Sequence, residues 1–132
     1  MHVIRLRRPW HKSIQEGAAP VRIDVPELDV QHSLHDESTF SYRRSFNLPS
    51  GLQASSRVYL RVDGWEGYLD SATLNGSALE VGRATKLNAD ITSLLESHNE
   101  IELRLASPPG QAARLSGEVT LAIDDGDDGD GG

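Results

Sequence analysis

Residues 57–81 read RVYLRVDGWEGYLDSATLNGSALEV. Val58, Leu60 and Val62 alternate with Tyr59, Arg61 and Asp63, which places the apolar residues on one side of an extended chain and the polar ones on the other. Gly64 ends the run. Leu69 to Leu74 forms a second candidate strand, and Asn75-Gly76 follows it. Both of these residues tolerate positive φ, so the pair predicts a tight hairpin with Leu79 and Val81 on the return arm. The same period of two recurs on either side. Val3, Ile4 and Leu6 open a short apolar stretch, and Val21, Ile23 and Val25 alternate with Arg22 and Asp24. The segment Phe40 to Phe46 alternates until Pro49 and Gly51 stop it. Ile101, Leu103 and Leu105 alternate with Glu100, Glu102 and Arg104, and Val119, Leu121 and Ile123 with Thr120 and Ala122. About eight short strands separated by Gly, Pro and Asn turns predict an all-β protein, an antiparallel β-sandwich of the jelly-roll kind. The one helical candidate is Asp90 to Glu96, about two turns, with Asp90 as cap and Ile91, Leu94 and Leu95 on one face. Residues 11–19 and 26–39 read as irregular.

The chain has 132 residues, 13 Lys+Arg against 20 Asp+Glu, a net charge of −7 and no Cys. That length predicts a single sandwich domain over residues 1–123. Five of the acids fall in the last nine residues, so the body carries 15 acids against 13 bases and is almost neutral. Residues 124–132 contain only Asp and Gly and predict a disordered acidic tail. A nearly neutral body argues against a nucleic-acid partner, because that binding rests on Lys and Arg neutralising phosphates. Without Cys there are no disulfides, zinc thiolates or thiol nucleophiles. The sequence has no apolar run of membrane-spanning length, and MHVIRLRRPWHK lacks the apolar core of a signal peptide. The expectation is a cytoplasmic protein without a membrane partner.

Three blocks in order carry a resemblance. Tyr42-Arg43-Arg44-Ser45-Phe46-Asn47-Leu48-Pro49 resembles the Y-R-R-x-F-x-L-P strand of the N-terminal sugar-binding domain of family-two glycoside hydrolases, the β-galactosidase and β-glucuronidase group. Arg57 to Trp65, leading on to Ala72-Thr73-Leu74-Asn75-Gly76, is similar to that family's R-V-x-L-x-F-x-G-V … A-x-V-x-L-N-G segment. Asn88 to Leu95 with Asn99 to Leu105 resembles its F-D-I-T-x-L-L-x-x-G-x-N-x-L-x-V-x-V. The match covers about residues 40–123, and it implies a galactose-binding-domain-like β-sandwich. That architecture binds carbohydrate in some proteins and braces a catalytic barrel in others. Two departures stand out. Ser41 occupies a position where the family often has an aromatic residue, and the stretch from Gly64 to Asn75 is about one residue longer. The family's catalytic glutamates lie in a barrel and have no positions here.

The remaining chemistry is sparse. Asp36 with Glu37 and Asp63 with Glu66 are carboxylates close in sequence, yet nothing in their spacing places a pair across a cleft as glycoside hydrolysis requires. The Gly-x-Ser-x-Gly elbow of serine hydrolases is missing. His32, His35 and Asp36 offer metal-ligand types, but without a third His or a Cys a hydrophilic loop is the simpler reading. The Asp/Gly tail superficially resembles a calcium loop without its closing Glu. No enzyme activity, cofactor or metal is therefore expected. Trp65-Glu66-Gly67-Tyr68 is different, because aromatic faces cover the C–H faces of a pyranose while carboxylate and backbone groups fix its hydroxyls. Trp65 capping the core is the competing reading, and Trp10, beside Arg7, Arg8 and His11, poses the same choice. The expected function is a non-catalytic carbohydrate-binding module with Trp65, Glu66, Tyr68, Trp10, His35 and Asp36 as contacts. The alternative is a structural or protein-interaction sandwich with no sugar site.

Overall fold

A computed structural model of the chain describes residues 2–13, 20–26, 38–81, 86–107 and 113–124. Its strands are β1 (His2–Arg5), β2 (Trp10–Ser13), β3 (Val21–Ile23), β4 (Ser38–Asn47), β5 (Arg57–Val62), β6 (Tyr68–Leu74), β7 (Ser77–Ala78), β8 (Leu87–Asp90), β9 (His98–Ser107) and β10 (Val119–Asp124). They form two sheets, one of four strands in the order β1-β10-β5-β8 and one of six in the order β3-β2-β4-β9-β6-β7. Every strand pairing is antiparallel. The alternation read from the sequence selects the inner face. Val58, Leu60 and Val62 of β5 and Val119 and Leu121 of β10 meet Phe40, Tyr42 and Phe46 of β4 and Ile101, Leu103 and Leu105 of β9 in one buried core. β10 ends at Asp124, where the acidic stretch begins, and residues 125–132 lie outside the described residues.

The Asn-Gly hairpin forms as expected. Asn75 has φ 53° and Gly76 φ 83°, the paired positive dihedrals of a type I′ turn, and β7 returns against Thr73 and Leu74. The turn asparagine also reaches inward. Its Nδ2 donates to the Leu94 carbonyl at 3.1 Å and to Oδ1 of Asn99 at 3.0 Å, while its Oδ1 accepts from the Glu100 N–H at 2.9 Å. Asn99 is itself fully buried. Its Oδ1 also accepts from the Glu96 N–H, and its Nδ2 donates to the carbonyls of Glu96 and Phe46. A polar side chain in an apolar core survives only with its groups paired, and here both ends of the amide are.

Two sequence expectations need correction. The helix expected over Asp90 to Glu96 is a single 3₁₀ turn, Thr92–Leu94, preceded by strand β8, which the sequence reading missed. Leu87 and Ala89 follow the period of a strand, and pairing with β5 overrides the weak helical face. Asp90 keeps a capping chemistry, since its Oδ1 accepts from the Thr92 N–H at 3.0 Å and from the Thr92 hydroxyl at 2.6 Å. Residues 11–13 and 38–39, expected to be irregular, belong to β2 and β4, where cross-strand pairing rather than local pattern defines them. The apolar stretch at Val3 and Ile4 is a strand as expected, and β1 lies at a sheet edge with all four residues exposed.

Two cations lie on inner faces, and the alternation of Phe40, Tyr42 and Phe46 carries Arg44 with it. Lys12 of β2 is buried, with its Nζ 4.8 Å from the ring centre of Phe40 and 5.2 Å from that of Tyr42, a cation–π arrangement. Arg44, between Tyr42 and Phe46, sends its Nη atoms to the carbonyls of Ser45 and Arg8, both at 2.9 Å. It thereby ties the β1–β2 connection to the six-stranded sheet. Burial lowers its guanidinium pKa.

Two outcomes follow. Asn99→Ala strips two carbonyls and an N–H of their partners, so urea unfolding is expected to show a loss of about 2–4 kcal/mol. The Asp90 carboxyl is held below the usual carboxylate range by the Thr92 hydroxyl, then by the Thr92 N–H, with Arg57 adding a smaller pull. A depressed folded pKa stabilises the protein above the unfolded value, and that contribution disappears as pH falls through the folded value. Asp90→Asn is therefore expected to lower stability at neutral pH and to flatten its decline as pH falls below the usual carboxylate range, measured by chemical denaturation across pH.

Candidate functional site

The chain crosses from the four-stranded sheet to the six-stranded one through residues 63–67, and this crossing is zipped to residues 114–118. The Asp63 N–H donates to the Glu118 carbonyl at 2.9 Å and the Gly117 N–H to the Gly64 carbonyl at 3.0 Å. Glu66 and Arg114 exchange both backbone bonds, at 2.9 and 3.1 Å. The side chains repeat the pairing, with Arg114 Nε donating to Glu66 Oε2 at 2.7 Å. Trp65 lies within this zipper, partly buried and packed against the core. The residue reading thus meets the core-cap alternative at Trp65, while its neighbours face solvent.

Gly67 turns the chain into β6. Its φ is +90°, and a Cβ there would meet the Ala106 carbonyl oxygen at 2.7 Å and the Ala113 Cβ at 2.8 Å. Only glycine fits both the dihedral and the gap. Directly after it, Tyr68 stands 67% exposed on the outer face of the six-stranded sheet. Tyr68 is paired with Ala106 of β9, which is paired in turn with Thr39 of β4. The aromatic ring therefore shares a row with a small residue and a hydroxyl. One step along the sheet come Ser41, Arg104 and Ser71. The register shifts between Leu69 and Ser71, where a bulge at Asp70 absorbs one residue. Its exposed carboxylate flanks the row. In the next row Glu102 accepts from Arg43 Nη2 at 3.3 Å and lies 3.6 Å from Arg104 Nε.

The placement of the sequence-derived candidates is uneven. Tyr68 and Glu66 are exposed neighbours across Gly67. Trp65 belongs to the crossing below them. Trp10 is 0% exposed, and its indole N–H donates to the Leu6 carbonyl at 2.6 Å. Burial and a satisfied indole remove Trp10 from the surface set and make it a core residue. His35 and Asp36 lie outside the described residues. The sequence reading did not single out Asp70, Arg104 or Arg114. Arg104 had a signal, since it sits on the outward phase of the β9 alternation. Arg114 had none, because its segment lacks periodicity. Among the described residues there is no cluster of three or more metal-binding side chains, and no helix is long and apolar enough to cross a membrane.

No family model matches the chain, and no curated protein matches it. Solved structures do. The β-D-mannosidase of Dictyoglomus thermophilum superimposes with a TM-score of 0.76 at 17% identity, covering 92% of this chain and 22% of that one. The β-glucuronidase of Bifidobacterium dentium, complexed with coumarin-3-O-glucuronide, gives 0.71 at 18% identity, over 92% of this chain and 30% of that one. A β-glucuronidase of Ruminococcus gnavus gives 0.70 at 15% identity, over 92% and 29%. The chain therefore spans less than a third of the length of these structures. Its fold resembles the N-terminal jelly-roll region of much larger family-two glycoside hydrolases, at low sequence identity.

The tightness at Gly67 generates a direct expectation. Gly67→Ala should destabilise the protein by about 2–4 kcal/mol in urea unfolding, through strain at positive φ plus the clash at Ala106 and Ala113. Gly51, also at positive φ but with nothing within 4 Å of its Cβ position, should lose less on the same change.

Proposed function

We propose that the protein is a non-catalytic carbohydrate-binding module whose site is the Tyr68 end of the outer face of the six-stranded sheet. The observation that carries this reading is the exposed Tyr68 ring, fixed on a paired strand rather than a loop. An apolar ring with a hydroxyl tip is the surface a pyranose stacks on. Around it stand groups that match sugar hydroxyls: the Thr39 and Ser71 hydroxyls, the Asp70 carboxylate and the Arg104 guanidinium, with the Glu66–Arg114 pair at the near end. Trp65 serves in this reading as the brace that holds the crossing under Tyr68. The likeness in fold to glycoside hydrolases supports the choice of ligand class. A shallow, wet face of this kind gains only modest affinity, because stacking and a few hydrogen bonds must offset the cost of ordering the ligand.

The test is a titration of isotope-labelled protein with galactosides, glucuronides and plant or algal oligosaccharides, with and without calcium. Saturable shifts should cluster at Tyr68, Asp70, Arg104 and Thr39. Tyr68→Ala should weaken that binding about tenfold while leaving the melting temperature unchanged, since its side chain is exposed. An absence of shifts with any sugar at millimolar concentration would leave the fold as a scaffold alone.

A further inference from the structure

The opposite sheet presents a surface of different chemistry. β1 forms one edge of the four-stranded sheet, and its apolar residues lie open, Val3 at 54% and Ile4 at 39% exposure. The Leu6 N–H donates to the Val119 carbonyl. In an antiparallel ladder the bonded residues alternate, so His2, Ile4 and Leu6 direct their backbone groups toward β10, while those of Val3 and Arg5 point away from the sheet. Along this edge runs a groove of about 570 Å³ lined by His2, Ile4, Pro49, Leu52, Gln53 and Ile123.

Among the described residues no strand lies beside the outward backbone groups of Val3 and Arg5, and a row of such donors and acceptors is complemented by an extended polypeptide. The charges beside β1 specify it further. Arg5 Nε lies 3.4 Å and Arg7 Nη2 3.8 Å from the same oxygen of Glu118, so two exposed guanidiniums share one carboxylate. At the Arg5 end of the edge two guanidiniums thus outnumber the one carboxylate they share, while Asp124 ends β10 at the His2 end. We propose that β1 and its groove dock an extended segment of a separate chain, apolar with acidic residues, which adds beside β1 as a fifth strand of that sheet. Backbone bonds to Val3 and Arg5 supply the attachment. Alternate apolar side chains of the added strand fill the groove over Ile4 and Leu52, and its acids meet Arg5 and Arg7.

The probe is a synthetic peptide, acetyl-Glu-Val-Thr-Val-Glu-Val-amide, with a counterpart carrying Lys in place of Glu, added to the full chain. The acidic peptide should give saturable amide shifts at Val3 to Arg5 and slow hydrogen exchange at the Val3 and Arg5 amides. Val3→Pro deletes an N–H that points away from β10, so it should preserve the melting curve and weaken binding at least tenfold. Arg5→Glu, an exposed charge reversal, should exchange the peptide preference toward the Lys form. Equal binding of the two peptides, binding that survives Val3→Pro in a folded variant, or no shift at millimolar peptide would overturn the proposal. So would a concentration-dependent dimer in sedimentation that Val3→Pro abolishes, because that result assigns the edge to a second copy of this chain.

Discussion

The Asn99 amide is the point on which the sandwich is registered. It sits at 0% exposure and touches three otherwise separate parts of the chain: the end of β4 through the Phe46 carbonyl, the segment after the 3₁₀ turn through both backbone groups of Glu96, and the Asn75 hairpin. A buried amide is unforgiving, because each unpaired group carries the full cost of leaving water. Only one relative placement of these parts pairs them all. Apolar contact alone tolerates sliding, whereas this network fixes the chain entering β9 against β4 and the hairpin of the same sheet. It also explains why an Asn at the hairpin and another at the start of β9 occur together in the sequence: one side chain completes the other.

Much of the fold was legible in the sequence for a simple reason. Residues such as Val58, Leu60 and Val62 or Ile101, Leu103 and Leu105 lie on strands with one face buried and one wet, and that condition writes itself as alternation. The Asn75-Gly76 turn was legible because positive φ at two successive residues restricts the choice of side chain. What escaped was set by long-range pairing. Asp90 to Glu96 has an apolar face of helical spacing, yet the residues ahead of it are captured by β5, which leaves room for one tight turn. Val3 and Ile4 are as apolar as any core residue, and only the strand order reveals that they stand at an edge. Lys12 occupies an inward position that polarity would have assigned outward.

The candidate site was legible in part. The aromatic and acidic residues of the 65–68 stretch drew attention to this crossing, but a sequence cannot say which ring is held in the core and which is exposed. The zipper between residues 63–66 and 114–118 makes that decision, drawing Trp65 inward and leaving Tyr68 out. The grouping of Tyr68 with Thr39 of β4 and Arg104 of β9 was not legible, because these residues are distant in the chain and only the sheet brings them close. Trp10 illustrates the opposite error: its basic neighbours suggested a surface, while its indole already has a partner in Leu6.

The bulge at Asp70 separates two kinds of constraint on a single strand. On its far side Ala72 and Leu74 remain in step with Leu103 and Ile101, and on its near side Leu69 remains opposite Leu105, so the core sees an uninterrupted inner face. The extra residue is discharged entirely into solvent. The outer face of β6 can therefore gain or lose a residue, and re-aim what it displays, while the packing beneath it stays in register. In such a fold the displayed outer surface and the interior are free to change at different rates.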